Sequence, residues 1–163
     1  MKNSQKLLRR EQLCYGELRI GTFSTTLPGS LSSATVAAGA TLELAGTASV
    51  ASLAGEGTVK CSLLTGLTGL STTARADGSF TCLAVDGALA APVGLVVDIA
   101  VEEGFKGAGA YRILAADSVS GAANVAGWTV HVTGRTRQYF NLLSAADGIY
   151  VNVSGPGICI NFR

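Results

Sequence analysis

Charge is scarce in this chain. Only 14% of its 163 residues are Asp, Glu, Lys or Arg, against roughly 25% in ordinary soluble domains, and the formal net charge is +1. So small a balance provides no long-range field to steer the protein toward DNA, RNA or anionic lipid, and nucleic acid is not expected as a partner. Histidine occurs once, which leaves too few imidazoles for a zinc site of the usual kind. Long apolar runs are also missing. The mean hydropathy is +0.40, yet the longest apolar stretch, Ala88 to Ala100, is interrupted by Pro92, Gly94 and Asp98. A spanning helix needs about 18 or more apolar residues in succession, so the protein is not expected to be membrane-spanning. Aromatic residues make up only 6%. A core must therefore be filled by Ala, Val, Leu and Ile, whose small side chains suit thin, closely stacked layers.

Met1 to Arg10 carries Lys2, Lys6, Arg9 and Arg10, but Glu11 and Gln12 stand where the apolar core of a secretory leader would follow. No export signal is visible in this stretch. The expectation is a cytoplasmic product, or one piece of a longer exported protein, in which case it is extracellular or at the cell surface. Residues 1–17 read as an N-terminal cap, a short amphipathic helix or a disordered segment, with Leu7, Leu8 and Leu13 among charged residues. Residues 18–163 read as one β domain.

What is present is a repeated β grammar. Leu18 to Phe23, Ala40 to Leu44 and Thr58 to Cys61 alternate with a period of two, and the same pattern returns at residues 79–85, 95–101, 111–114, 128–132, 138–142, 149–153 and 158–162. Alternation between turn residues is the mark of half-buried strands. Asp77-Gly78, Asp86-Gly87 and Asp147-Gly148 read as turns, because Asp and Gly tolerate unusual backbone angles there. About ten strands result. Each is too thin to bury its own face, and stacking on neighbours is the natural solution, as in a solenoid. An antiparallel β-sandwich would use similar strands and turns and stays open as the alternative.

Gly39-Ala-Thr-Leu-Glu-Leu-Ala-Gly46 followed by Val50-Ala-Ser-Leu-Ala-Gly-Glu-Gly-Thr-Val59 resembles the autotransporter-associated β-strand repeats of large bacterial surface proteins. Tyr111 to Ala116, Val119 to Gly121, Gly127 to Val130, Tyr139-Phe140 and Asp147 to Val153 are similar to the closing strands of those proteins. The resemblance covers roughly residues 30 to 162. It implies a right-handed parallel β-helix, or its last turns, serving as a displayed structural or adhesive module without enzymatic activity. The family's usual export signal and membrane-embedded barrel are not seen here, which points to a truncated or independently anchored relative.

Residues arranged for chemistry are few. His131 alternates with Thr129 and Thr133 on an expected solvent face. No Gly-x-Ser-x-Gly occurs, and Glu102 and Glu103 are adjacent at an expected strand end, where neighbours are expected to point to opposite faces and not to flank one substrate. The isolated Asp77, Asp86 and Asp147 cannot supply the six or more oxygens that calcium requires. Gly104 to Gly109 contains Lys106 but lacks the spacing of a phosphate loop and reads as a flexible loop. Cys14, Cys61, Cys82 and Cys159 match no zinc or redox spacing. A Cys61 to Cys82 disulfide is conceivable if their strands stack, but small buried hydrophobes are the expected reading. Trp128 is expected to be a packing anchor.

One feature suits a partner. Arg135 and Arg137 beside Tyr139 form a basic and aromatic patch fit for a surface glycan or a protein partner. No cofactor is expected, and self-association through strand edges or ends is. The functional alternatives are a carbohydrate-binding β-sandwich and the remnant of a β-helical polysaccharide-active enzyme. Both require side chains gathered on one face, whereas the few aromatics appear spread along the chain.

Overall fold

The computed structural model describes residues 17–20, 25–27 and 30–155, with side chains from residue 30 onward except 122–124. Residues 1–16 of the expected cap over 1–17, the expected strand at 158–162, Cys14 and Cys159 lie outside the described residues, while Glu17, the last residue of that expected cap, belongs to a strand.

Alternation does produce strands. In chain order they are β1 (Glu17–Ile20), β2 (Thr25–Leu27), β3 (Ser30–Val36), β4 (Thr41–Leu44), β5 (Thr47–Gly55), β6 (Thr58–Thr65) and β7 (Gly69–Ala74). They continue as β8 (Leu83–Ala90), β9 (Val96–Val101), β10 (Gly109–Ser120), β11 (Thr129–Thr133), β12 (Tyr139–Ala145) and β13 (Gly148–Ser154), with a 3₁₀ helix at Ala122–Gly127 before β11. All thirteen belong to one mixed sheet that curls nearly closed around an apolar interior.

Three sets of pairings organise it. The odd-numbered strands from β1 to β11 lie parallel, each beside the next. The even-numbered strands from β2 to β10 do the same. The longer strands bend into a third parallel set, in which Ser30 and Leu31 lie beside Ser49 and Val50, Thr47 to Ser49 beside Leu63 to Thr65, Leu63 and Leu64 beside Ala88 and Leu89, and Ala88 to Ala90 beside Ser118 to Ser120. Among the described residues, antiparallel strand pairing is limited to the β12–β13 hairpin and its junction with β10.

The chain returns to the same place at each circuit. Glu17 lies beside Ser33, Ser33 beside Ser52, Ser52 beside Gly69, Gly69 beside Val96 and Val96 beside Thr129. The first three returns take 16, 19 and 17 residues, read from those pairs. The last two are longer because the Arg75 to Cys82 excursion, the Glu102 to Ala108 loop and the 3₁₀ helix are inserted.

Register places like on like. Ala34, Leu53, Leu70, Val97 and Val130 occupy one inward column, and Leu42, Val59 and Val85 another. Ala48, Leu64, Leu89 and Val119 form the third. Leu42, Leu53, Leu64 and Leu89 are completely shielded from solvent, each contributing about 1.5–3 kcal/mol by leaving water. The alternate positions face outward, as in the column Thr35, Ala54, Ser71, Asp98 and His131.

Two local expectations need correcting. Asp86-Gly87 is not a turn between strands but lies inside β8, where pairing with β6 shifts register between Lys60 and Leu63. Gly87 takes φ +144 there, so the dipeptide bends a strand across a corner instead of ending it. Residues 79–82 are not strand either. Phe80 makes a single antiparallel bridge to Ala74, and β8 begins at Leu83.

Candidate functional site

Aromatic residues far apart in sequence meet at one corner. The Phe80 ring lies 5.4 Å from Phe105 in an edge-to-face arrangement and 4.9 Å from Tyr111, while Phe105 stacks 6.3 Å from Phe140. The reading of aromatics as dispersed is thus overturned. The Arg75 to Cys82 excursion delivers Phe80, the loop after β9 delivers Phe105, and β10 and β12 supply the others. Offset and edge-to-face contacts of this kind add about 0.5–1.5 kcal/mol each beyond burial.

A groove of about 620 Å³ opens over this cluster, lined by Phe105, Lys106, Gly134, Arg135, Thr136, Arg137 and Gln138. It forms because two loops stack. Thr133 is at the end of β11, and the following Gly134, at φ +106, passes so near β9 that a Cβ would sit 2.3 Å from the carbonyl oxygen of Val101. Only glycine permits that approach. The loop after β11 therefore starts directly against the end of β9, beside the loop that follows it.

Hydrogen bonds hold both loops in shape. The Gln138 side-chain amide donates to the carbonyl of Gly107, tying one loop to the other. The Gln138 backbone N–H donates to the Thr136 hydroxyl at 3.1 Å. Tyr111 accepts from the Ala108 N–H at 2.9 Å and donates to the Ala108 carbonyl at 3.1 Å. The Gly104 to Gly109 segment, expected to be a flexible loop, is thus braced on two sides.

Lys106, Arg135 and Arg137 are all exposed, and no ion pair joins any of them to a described residue. The sequence paired Arg135 and Arg137 with Tyr139. The structure brings the two arginines together with Lys106 in the groove, whereas Tyr139, although 63% exposed, is not among its lining residues. Phe140, next in β12, turns inward to the aromatic cluster, so alternation sends Tyr139 to the other face.

The remaining candidates have local roles. His131 is exposed on β11 with its Nδ1 3.4 Å from Asp98 on β9. Glu102 accepts from the Ala76 N–H at 2.9 Å and so anchors the Phe80 excursion. Asp77 accepts from the Ser79 N–H and hydroxyl at 2.9 and 2.6 Å, and these bonds hold its carboxyl below the usual range. Asp147 accepts from the Tyr150 hydroxyl at 2.9 Å and from Arg112 at 3.1 Å.

Trp128 is half-buried against the core and donates its indole N–H to the Pro92 carbonyl at 2.7 Å, as expected of an anchor. Cys61 is buried, Cys82 is half-buried, and both are free thiols. Burial pushes both up, aided at Cys61 by the negative charge of Asp86. Among the described residues no three His, Cys, Asp or Glu side chains gather to hold a metal ion, and no helix is long and apolar enough to cross a membrane. No protein-family model, curated protein or solved structure gives a significant match to the chain.

Proposed function

We propose that the chain is a right-handed parallel β-helix of the autotransporter-passenger type, acting as a non-enzymatic structural or adhesive surface module. The observation that carries this reading is the regular return of the chain upon itself, parallel and in register, from Ser33 to Ser52 to Gly69 to Val96 to Thr129. Each circuit leaves a fresh strand edge for the next, which is how a solenoid grows. A right-handed sense is favoured because strand twist makes parallel crossovers right-handed in almost all proteins. A sandwich would need extensive antiparallel pairing, which among the described strands is limited to the C-terminal hairpin and β10.

The adhesive reading is supported by a braced groove with three exposed cations and no opposing carboxylate among its lining residues. The full chain, fused to an export leader and a surface anchor in a bacterial host, should be displayed in protease-resistant form and increase adherence to a glycan-coated surface. It should release no reducing ends from a panel of polysaccharides. Rapid proteolysis on the cell surface, or turnover of any polysaccharide lost on substituting one residue, would overturn the proposal. The architecture has its own check. Ser71→Cys with Asp98→Cys should form a disulfide under mild oxidation, since these outward residues are direct neighbours on β7 and β9.

A further inference from the structure

We infer that the groove between the loops after β9 and β11 binds the carboxylate or sulfate groups of an acidic polysaccharide. The inference rests on the adhesive reading above and names its ligand class. Lys106 comes from one circuit of the chain, and Arg135 and Arg137 from the next. β11 pairs directly with β9, so the loops that follow them are neighbours and all three cations line one groove. Two of the three are arginines, whose planar guanidinium matches a carboxylate or sulfate through paired hydrogen bonds.

The cluster is preorganised. Gly134 seats its loop on the Val101 carbonyl, and Gln138 fastens that loop to Gly107. Binding therefore orders little backbone, which lowers the entropic cost of association. Glu102, the acid that could reach across from the same loop, is engaged with the Ala76 N–H, and Glu103 does not line the groove.

The charge distribution favours a glycan over nucleic acid. Among the described residues Lys60, Arg75 and Arg112 are each paired with a carboxylate, so the groove cations make a local cluster and no extended track of the kind that follows a phosphate backbone. A ligand that presents a few anionic groups among neutral hydroxyls fits such a cluster. Tyr139 stands outside the groove and is not part of the site.

The test uses the full chain and measures binding to polygalacturonate and dextran sulfate, with neutral dextran, poly-glutamate and a single-stranded oligonucleotide as comparison arms. Binding to at least one acidic polysaccharide is expected, weakening as salt rises. The triple substitution Lys106→Gln, Arg135→Gln and Arg137→Gln should reduce that binding at least tenfold with the melting temperature unchanged. Tyr139→Ala and Lys60→Gln should leave it within about twofold. Absence of binding to both acidic polysaccharides, equal binding to poly-glutamate or the oligonucleotide, or indifference to the triple substitution overturns the inference. Failure here together with successful surface display and adherence removes only this ligand class. Failure of display and of the Ser71 to Asp98 cross-link removes the module reading itself.

Discussion

Gly87 presses its bare Cα against the carbonyl oxygen of Cys61, so closely that an added Cβ would lie 1.8 Å from that oxygen. The contact lets β8 turn the same corner as β6 one layer below. Gly87→Ala should cost roughly 3 kcal/mol or more, because backbone must move to admit the methyl. Gly78→Ala is the comparison. At φ +88 with open space around it, it should lose only about 1 kcal/mol from backbone strain. Urea denaturation of both variants checks the ranking, and equal losses would remove the steric argument.

Thr72 is a buried polar side chain on β7, and its hydroxyl donates to the Thr81 carbonyl at 2.9 Å. The Thr81 hydroxyl in turn accepts from the Thr73 N–H at 2.8 Å. These bonds pin the returning arm of the Phe80 excursion to β7. Thr72→Val keeps the shape and removes the donor, so a loss of about 1–2 kcal/mol is expected. Thr81→Val strands a backbone N–H as well and should cost more. Paired denaturation curves decide the order.

Ser144 presents the opposite case, since its hydroxyl is buried on β12 with no hydrogen-bond partner among the described residues. Removing an unsatisfied buried hydroxyl relieves its desolvation cost. Ser144→Ala should be neutral or stabilising by up to about 1 kcal/mol. A clear loss of stability in a thermal melt would mean the hydroxyl has a partner after all.

The turn between β12 and β13 should report on pH. The Tyr150 hydroxyl bond, with Arg112 beside it, holds the Asp147 carboxyl below its ordinary value, and the same bond raises the Tyr150 phenol. A carboxyl depressed in the folded state contributes stability that is present above its unfolded pKa, about 3.9, and lost as pH falls through the folded value. A raised phenol contributes below its unfolded pKa, about 10, and loses that contribution as pH rises through its folded value. Asp147→Asn should therefore flatten the fall in melting temperature on both the acid and alkaline sides. Parallel curves for the variant and the parent would dismiss the link.

Much of the strand content was legible because it depends on local patterning. Thr41–Leu44 and Gly148–Ser154 alternate apolar with polar residues strongly enough to declare which face is buried. Ser30–Val36 and Gly69–Ala74 were not singled out, since Ser, Thr, Ala and Gly give a weak contrast between the two faces. Their strand state comes from pairing with β5 and β9. Asp86-Gly87 misled for a related reason. Its chemistry suits both a turn and a bend within a strand, and only contact with Cys61 in the neighbouring layer selects the second.

The candidate site divides in the same way. Arg135 and Arg137 stood out because two arginines fall within three residues in a chain poor in charge. Lys106 and Phe105 could not be joined to them, being separated by about thirty residues of sequence. What the sequence determined by itself was a β protein with small interior side chains, little charge and no clustered catalytic motif, because composition and a period of two are local properties. What the tertiary structure decided was register. Strand pairing set Gly134 on Val101, stacked one loop on another, gathered Phe80, Phe105, Tyr111 and Phe140 under them, and left Tyr139 outside, since which residues meet depends on how each circuit lies over the last.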